Sequence, residues 1–401
     1  MNKEKLNLMP FIGTFLLIVL YICSLCYRGL LTPGEYDFAL AMQQIFPVVS
    51  GTFLPKLPAA LATLCTGGII FLAAYRLKLL HPGIAAGLYL CFPPVWWLGT
   101  SATAIPVLSF LITVAVAGLF TSRKEQSIPA KAAGFLIGAA GAVGAAYLAQ
   151  HVFFSWWSIF MALFPAASLA CAIHLEKLDD RDLAGKRLNR LAVSIAVFLL
   201  IATGFFLLPS ICRFLRISLP EMLEFFYAGK NLYLPAMALL VPLLWLYAAV
   251  RVQKSVEKIF FICFALGFVM LMLPPAIPWS KVSEIPTKAT LLQMCPELLA
   301  VRRTIFADDS SASAVAYNLG LPVRRVGRGR NDLPPGELKK EIISALRDGG
   351  AAVFSDDGEL DAYLPLELDC VKYTSAENCK LYLYPASVKT AGTVTKGEKM
   401  P

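Results

Sequence analysis

The sequence has little charge for its length. Only 16% of its 401 residues are charged, whereas 57% are hydrophobic and the mean hydropathy is +0.65. Soluble globular proteins are typically about 25% charged and about 45–50% apolar. This shortage of charge excludes an ordinary soluble enzyme. The apolar residues form runs of about 20 residues, each long enough to cross a hydrocarbon layer of roughly 30 Å.

Ionisable side chains are also scarce inside those runs. The chain has 3 histidines, His81, His151 and His174, and all lie at or near the ends of apolar runs. Ion-coupled transporters and pumps need carboxylates, histidines or basic groups at membrane depth. A transporter is therefore disfavoured. The chain also lacks a G-x-G-x-x-G motif and a P-loop, so no nucleotide site is predicted.

Apolar run length predicts nine membrane spans. With the N-terminus in the cytoplasm, the inner segments carry 15 Lys and Arg and the outer loops carry 5. Lys and Arg accumulate on the cytoplasmic side of membrane proteins, so this orientation is predicted and the C-terminal part is extracytoplasmic. The predicted spans are 9–27, 58–77, 82–99, 104–121, 132–150, 152–173, 191–209, 232–250 and 259–278.

The net charge of +9 belongs to the membrane part. Residues 1–280 hold 20 basic and 11 acidic side chains, and residues 281–401 hold 16 of each. A nucleic-acid partner would need a basic patch on a soluble face. No nucleic-acid partner is predicted, because the excess follows membrane topology.

Two of the outer loops are long enough to fold. In loop 28–57 apolar residues recur at helical spacing between two prolines, and loop 210–231 repeats the pattern after Pro220. Both patterns predict short helices at the membrane interface. The spaced residues are Phe38, Ala41, Met42 and Ile45 in the first loop, and Leu219, Met222, Leu223 and Phe226 in the second.

After Pro278 the composition changes to that of a soluble α/β domain. Strands near 301–307, 322–327 and 351–355 alternate with helices near 311–319 and 336–347, which predicts a parallel core sheet. Segments 366–373 and 379–384 are predicted to close it as a hairpin, and a Cys370–Cys379 disulfide stays an open alternative. We predict a transmembrane domain over 1–280, an α/β domain over 281–388 and a disordered tail over 389–401.

Four segments carry a resemblance to a known family. The first loop contains "RGLLTPGEYDFALAM" over 28–42, followed by "FLPKLPAAL" over 53–61. Residues 101–120 read "SATAIPVLSFLITVAVAGLF", and residues 304–326 read "TIFADDSSASAVAYNLGLPVRRV". These segments resemble membrane glycosyltransferases of the GT-C class, in the bacterial protein-mannosyltransferase-like and aminoarabinose-transferase-like group of glycosyltransferase family 39 and its relatives.

The resemblance implies a mainly α, polytopic helical bundle with a C-terminal periplasmic α/β domain in the bacterial inner membrane. It also implies transfer of a sugar from a polyprenyl-phosphate donor to a lipid, glycan or protein acceptor of the cell envelope. Membrane lipid and lipid-linked sugar are then the partners. No metal-binding residue is assigned, and a divalent cation remains an open alternative.

Such a reaction needs a carboxylate as general base and cations that hold the phosphate leaving group. Glu35 and Asp37 are the candidate bases, although acidic residues are favoured in the first turn of any helix by its dipole. The candidate phosphate-binding cations could instead contact lipid phosphates. They are Lys56, Arg28, Arg213, Arg216 and Lys230.

The sequence departs from the family pattern in several places. Pro55 replaces an acidic residue before the first-loop lysine, the loop is shorter, and Ile105 occupies a position in the fourth-span segment that is commonly aspartate. Relatives carry an aspartate immediately before the first-loop glutamate, and this chain has Gly34 there. The alternative function is therefore a catalytically degenerate relative that binds lipid or a partner.

Glycines at 134, 138, 141 and 144 predict close helix packing in the fifth span, rather than a ligand site.

Overall fold

The computed structural model of the chain divides into two compact units. The helical unit contains Met1–Leu30 and Ile45–Pro278, and the sheet unit contains Leu31–Gln44 and Trp279–Pro401. Residues 31–44 of the first outer loop thus group with the C-terminal residues. The structure describes residues 9–27, 29–30, 32–47, 51–124, 128–151, 156–179, 182–216, 233–253, 255–276, 305–308, 311–320, 322–326, 340, 343–344, 351–355, 372–376 and 379–383.

Each apolar run predicted as a span is mainly helical over its described residues. The helices begin and end within a few residues of the predicted limits, except that the seventh run lies in a longer helix that includes residues of both flanking loops. The helices are Met9–Tyr27, Leu57–Arg76, Pro82–Cys91, Pro93–Gly99, Ile105–Lys124, Ile128–His151, Trp156–Asp179, Asp182–Phe214, Tyr233–Arg251 and Ser255–Ala276.

The run predicted as one span over 82–99 is two helices. Phe92 separates them in an extended conformation, with φ −65° and ψ 121°. Proline disfavours the helical conformation in the residue before it and has no N–H to donate, so Pro93 ends one helix and begins the next. The apolar pattern continues through the break, which is why run length alone did not reveal it.

The glycines of helix Ile128–His151 pack closely on helix Ile105–Lys124. A Cβ atom added to Gly118 would lie 2.6 Å from the backbone nitrogen of Gly138 and 2.7 Å from the carbonyl oxygen of Gly134. A Cβ on Gly141 would lie 2.9 Å from backbone atoms of Leu111 and Ala115. The predicted packing role of the glycines is confirmed for Gly134, Gly138 and Gly141, which contact the partner helix's backbone.

Large apolar side chains remain exposed on the helical unit, while others fill its core. Phe135, Leu136, Val143 and Tyr147 are exposed along helix Ile128–His151. By length and composition, the helices within Leu54–Arg76 and Ile128–Ala149 are able to cross a membrane. Shorter apolar helical stretches of 10–17 residues include Ile12–Cys26, Ile105–Phe120 and Phe160–Leu175.

In the described residues the sheet unit contains five strands: β1 Ile305–Asp308, β2 Val323–Val326, β3 Ala351–Ser355, β4 Lys372–Ala376 and β5 Cys379–Leu383. Their order in the sheet is β2-β1-β3-β5-β4. The strands β2, β1 and β3 are parallel, while β5 is antiparallel to both β3 and β4. The predicted parallel core and closing hairpin are confirmed, with β4 shifted towards the C-terminus.

Helix Ala312–Leu319 connects β1 to β2 and ends where the sequence predicts. Gly320 has φ +65°, and its N–H donates to the carbonyl oxygen of Ala316 at 2.9 Å. Glycine adopts this left-handed conformation without a Cβ clash, so it ends the helix and turns the chain into β2.

Several predictions lie outside the described residues. They are the helix after Pro220, most of the helix near 336–347, Cys370 with its disulfide, and the tail over 389–401. Among the described residues, Cys91 and Cys263 are buried against each other with their sulfurs 3.3 Å apart, and both are free thiols. They pack as small apolar side chains.

Candidate active site

The predicted first-loop helix is present over Pro33–Ile45 and begins with a capping box. The N–H of Glu35 donates to Thr32 Oγ1 at 3.3 Å, and the N–H of Thr32 donates to Glu35 Oε2 at 3.4 Å. This reciprocal pair satisfies two backbone donors at the start of the helix. Glu35 is 4% exposed, so it is not the solvated first-turn residue that a surface helix would carry. Its carboxylate is fixed in position by the backbone.

Asp37 lies two residues further along and is held by the C-terminal residues of the sheet unit. Arg325 Nη2 donates to Asp37 Oδ1 at 2.5 Å and to Ser313 Oγ at 2.6 Å. The Ser313 hydroxyl in turn donates to Asp37 Oδ1 in a very short hydrogen bond. Asp37 is therefore engaged by a guanidinium and a hydroxyl. We call these three residues the Asp37 cluster.

Tyr36 and Tyr317 pack together beside this cluster. Their rings meet edge to face with centroids 6.0 Å apart. Burial raises the pKa of Tyr36, a hydrogen bond with Asn318 opposes that rise, and the Glu35 charge adds to it. Burial also raises the pKa of Tyr317, with a further contribution from Tyr36. Both phenols are thus neutral at physiological pH.

Lys56 is fully buried in the helical unit, at 0% exposure. It ends a short 3₁₀ turn over Leu54–Lys56 that leads directly into helix Leu57–Arg76. Its Nζ donates to the backbone carbonyl oxygen of Leu25 at 2.7 Å. A buried ammonium is a strong electrostatic group because little water screens it.

Polar side chains from three helices lie near the same end of the helical unit. Trp96 Nε1 donates to Ser24 Oγ at 3.1 Å, and the Trp96 ring packs edge to face on Tyr21 with centroids 5.3 Å apart. A Cβ atom added to Gly99 would come within 3.0 Å of both Tyr21 Oη and Thr63 Oγ1. Gly99 therefore allows these two oxygens to approach the helix Pro93–Gly99.

The structure describes the side chain of one of the other predicted phosphate-binding cations, Arg216. Arg216 is exposed and has φ +57°, in the left-handed region. Arg213 is in helix Asp182–Phe214, but its side chain is not described, and Arg28 and Lys230 lie outside the described residues. Within the described part of the chain, no three His, Cys, Asp or Glu side chains are grouped so that they could hold a metal ion.

Comparison with solved structures identifies the fold. ArnT from Cupriavidus metallidurans bound to undecaprenyl phosphate matches with a TM-score of 0.65 and 13% identity, over 94% of this chain and 98% of that one. The fold is that of ArnT. The apo state of the same protein matches with a TM-score of 0.64 and 12% identity, over the same shares of both chains. No protein-family model matches this sequence, and neither does any curated protein.

The ArnT fold confirms the sequence resemblance to the aminoarabinose-transferase-like group of GT-C proteins at the level of fold. Sequence identity is so low that the resemblance depended on short segments.

Sequence reasoning missed Ser24, Thr63 and Gly99, since small polar residues and glycine are common in spans for packing reasons. It also missed Arg325, which is 288 positions from Asp37 along the chain and has no local signal.

Proposed function

We propose that this protein is a glycosyltransferase of the bacterial inner membrane that moves a sugar from a polyprenyl-phosphate donor to an acceptor at the outer face. The observation that carries the proposal is the ArnT fold over 94% of this chain, with undecaprenyl phosphate bound to that ArnT. Exposed apolar faces on the helices and the Lys and Arg bias of the inner segments support a multi-pass protein. The N-terminus is cytoplasmic and the α/β domain beginning near residue 281 is periplasmic.

In this reaction the acceptor hydroxyl loses its proton to a base, and its oxygen bonds to the anomeric carbon of the sugar. The bond between that carbon and the phosphate oxygen breaks, and the polyprenyl phosphate leaves with the electron pair. Negative charge grows on the phosphate, so a cation in a water-poor site stabilises the transition state. Among the predicted phosphate-binding cations whose side chains are described, Lys56 is the buried one, which suits this role.

Glu35 is the base in our proposal. Its carboxylate is buried and oriented by the capping box with Thr32, which keeps it in one position. Asp37 is the weaker candidate because Arg325 and Ser313 already donate hydrogen bonds to its Oδ1 atom. To accept a proton there, Asp37 would have to give up charge-assisted bonds.

The test is sugar transfer by the full chain in lipid nanodiscs, with a panel of polyprenyl-phosphate sugars as donors and envelope lipid extract as acceptor. Glu35→Gln removes the base but keeps the size of the side chain, so we expect transfer to fall about 10²–10⁴-fold. Asp37→Asn should retain more activity than Glu35→Gln.

Glu257→Gln is the matched control, since Glu257 also lies in the first turn of a helix, at the predicted cytoplasmic end. It should leave transfer unchanged. Full activity of the Glu35→Gln variant would remove Glu35 from the mechanism.

The degenerate alternative is favoured by one observation, the glycine at the position where relatives carry an aspartate. A Cβ atom on Gly34 would meet nothing within 4 Å, so an aspartate fits there without strain. If the chain is degenerate, wild type binds undecaprenyl phosphate without transferring sugar, and Gly34→Asp gains activity. If the wild-type protein transfers sugar, an aspartate at position 34 is not required for its activity.

A further inference from the structure

The Asp37 cluster joins three elements that are distant in sequence. Asp37 is in helix Pro33–Ile45, Ser313 is in helix Ala312–Leu319 and Arg325 is in strand β2. The Ser313 hydroxyl links the other two side chains. Its oxygen accepts a hydrogen bond from Arg325, and its O–H donates a hydrogen bond to Asp37. Ser313 is 1% exposed, whereas the side chains of Arg325 and Asp37 are 30% and 46% exposed, so water is excluded at the serine but reaches the ion pair.

A second contact reinforces the same attachment. Tyr36, the neighbour of Asp37, is 5% exposed and packs edge to face on Tyr317. Tyr317 and Ser313 are four positions apart in helix Ala312–Leu319, which places them on the same face of that helix. Two consecutive residues of the first-loop helix are therefore held by one face of a helix from the C-terminal residues.

This attachment leaves Glu35 on a different side of its helix. Successive helical residues are rotated by about 100°, so Glu35 and Asp37 are about 200° apart around the axis. The cluster can therefore fix the rotation and position of the first turn from the side of the helix away from Glu35. A base must be held within a fraction of an ångström of its productive geometry, and a 1 Å displacement can lower a rate about 10²-fold.

We propose that Arg325 is a positioning residue for the transfer reaction, which acts through Asp37 to hold the helix that carries Glu35. This inference rests on the proposed function. Arg325 does not touch the reacting atoms in this account. This role makes the α/β domain part of the catalytic apparatus, because removal of the Arg325 guanidinium changes the position of the base, Glu35.

The activity test compares Arg325→Gln with Arg324→Gln in the full chain in nanodiscs. Arg324 is the matched control, since it precedes Arg325 in β2 and adjacent strand residues point to opposite faces. We expect Arg325→Gln to lower kcat roughly 10- to 100-fold, with KM for the lipid-linked donor within about twofold of wild type. Arg324→Gln should keep the wild-type kcat.

Reversal of the ion pair provides a rescue test. Asp37→Arg alone should be nearly inactive, and Asp37→Arg combined with Arg325→Asp should regain at least about tenfold, since the pair is restored in the opposite order. A simple loss of folding would not produce this recovery. A wild-type kcat in Arg325→Gln, or a double variant no better than Asp37→Arg, would overturn the proposal.

Hydrogen exchange tests the attachment independently of activity. The backbone amides of residues 33–45 should exchange faster in Arg325→Gln than in Arg324→Gln, and unchanged exchange would contradict the attachment itself. If wild type transfers no sugar from any donor while the exchange difference is present, the proposed function fails and the attachment stands.

Discussion

The ammonium of Lys56 donates a hydrogen bond to the backbone carbonyl oxygen of Leu25 at 2.7 Å. Leu25 is in the last turn of helix Met9–Tyr27, where carbonyl groups have no partner within the helix. A cation at this end is also favoured by the helix dipole. Lys56 therefore stabilises the end of the first helix, and in our proposal the same ammonium also holds the donor phosphate.

Replacement of Lys56 by methionine should remove both roles, and each loss can be measured separately. Loss of the bond leaves the Leu25 carbonyl without this donor, which lowers stability by about 1–3 kcal/mol. Loss of the cation should also lower transfer about 10²-fold, and it should weaken binding of undecaprenyl phosphate to the protein in nanodiscs.

Lys258→Met is the matched control for that substitution. Lys258 is also buried, and its Nζ donates to Asn189 Oδ1 at 2.6 Å. It should lose stability to a similar extent and keep lipid-phosphate binding, measured with thermal unfolding and a binding titration. An equal loss of binding in both variants would limit Lys56 to its structural role.

The capping box at Thr32 can be tested by single-atom changes. Thr32→Val keeps the shape of the side chain but removes Oγ1, the acceptor of the Glu35 N–H. We expect a loss of about 0.5–2 kcal/mol in stability. Transfer should also fall, since Glu35 becomes less well oriented. Thr32→Ser retains the hydroxyl and should behave like wild type, and equal kcat values in all three proteins would separate the cap from catalysis.

The contact of Gly118 with Gly138 predicts that a single added methyl group disturbs two helices. Gly118→Ala places a Cβ 2.6 Å from the backbone nitrogen of Gly138, which must move. Overpacking of this kind costs about 1–3 kcal/mol. Gly68→Ala is the control, because its Cβ would meet nothing within 4 Å and alanine favours the helix. Thermal unfolding should show a lower midpoint for the first variant only.

The buried phenol of Tyr36 predicts a pH dependence above neutrality. Because burial raises the pKa of Tyr36 above its ordinary value of 10.0, the unfolded state ionises at lower pH than the folded state. The buried, neutral phenol of Tyr36 contributes fully to the free energy of unfolding below pH 10.0, and this contribution decreases as pH rises towards the pKa of the folded state. Tyr36→Phe should remove this component, so stability above pH 10 should fall less steeply than in wild type. Tyrosinate absorbance during unfolding measures the difference, and identical slopes would contradict the burial of Tyr36.

Much of the helical unit was predictable from the sequence because each span must satisfy its own backbone hydrogen bonds in lipid. Apolar run length therefore predicted the helices well. The break at Phe92 was missed, although the two prolines that follow it carry the signal. The glycines at 134, 138 and 141 were predicted correctly as packing residues, since small residues at this spacing let a second helix approach closely.

The candidate site was predictable only in part. The Thr32 and Glu35 pair is a local capping pattern that the sequence contains, and Glu35 was considered for its charge alone. The partner of Asp37 could not be predicted, because the ion pair joins residues 288 positions apart. No local rule connects two side chains over that separation.

The sequence by itself determined which segments are helices, which form the sheet, and which acidic and basic residues are available for chemistry. Those properties follow from apolar periodicity, turn residues and charge, all of which act over a few neighbouring positions. The tertiary structure alone decided that Asp37 is held by Arg325 and Ser313, that Lys56 is buried on the Leu25 carbonyl, and that the first-loop helix groups with the sheet unit. These relationships depend on how distant segments pack, and burial and pairing then set the chemical role of each charge.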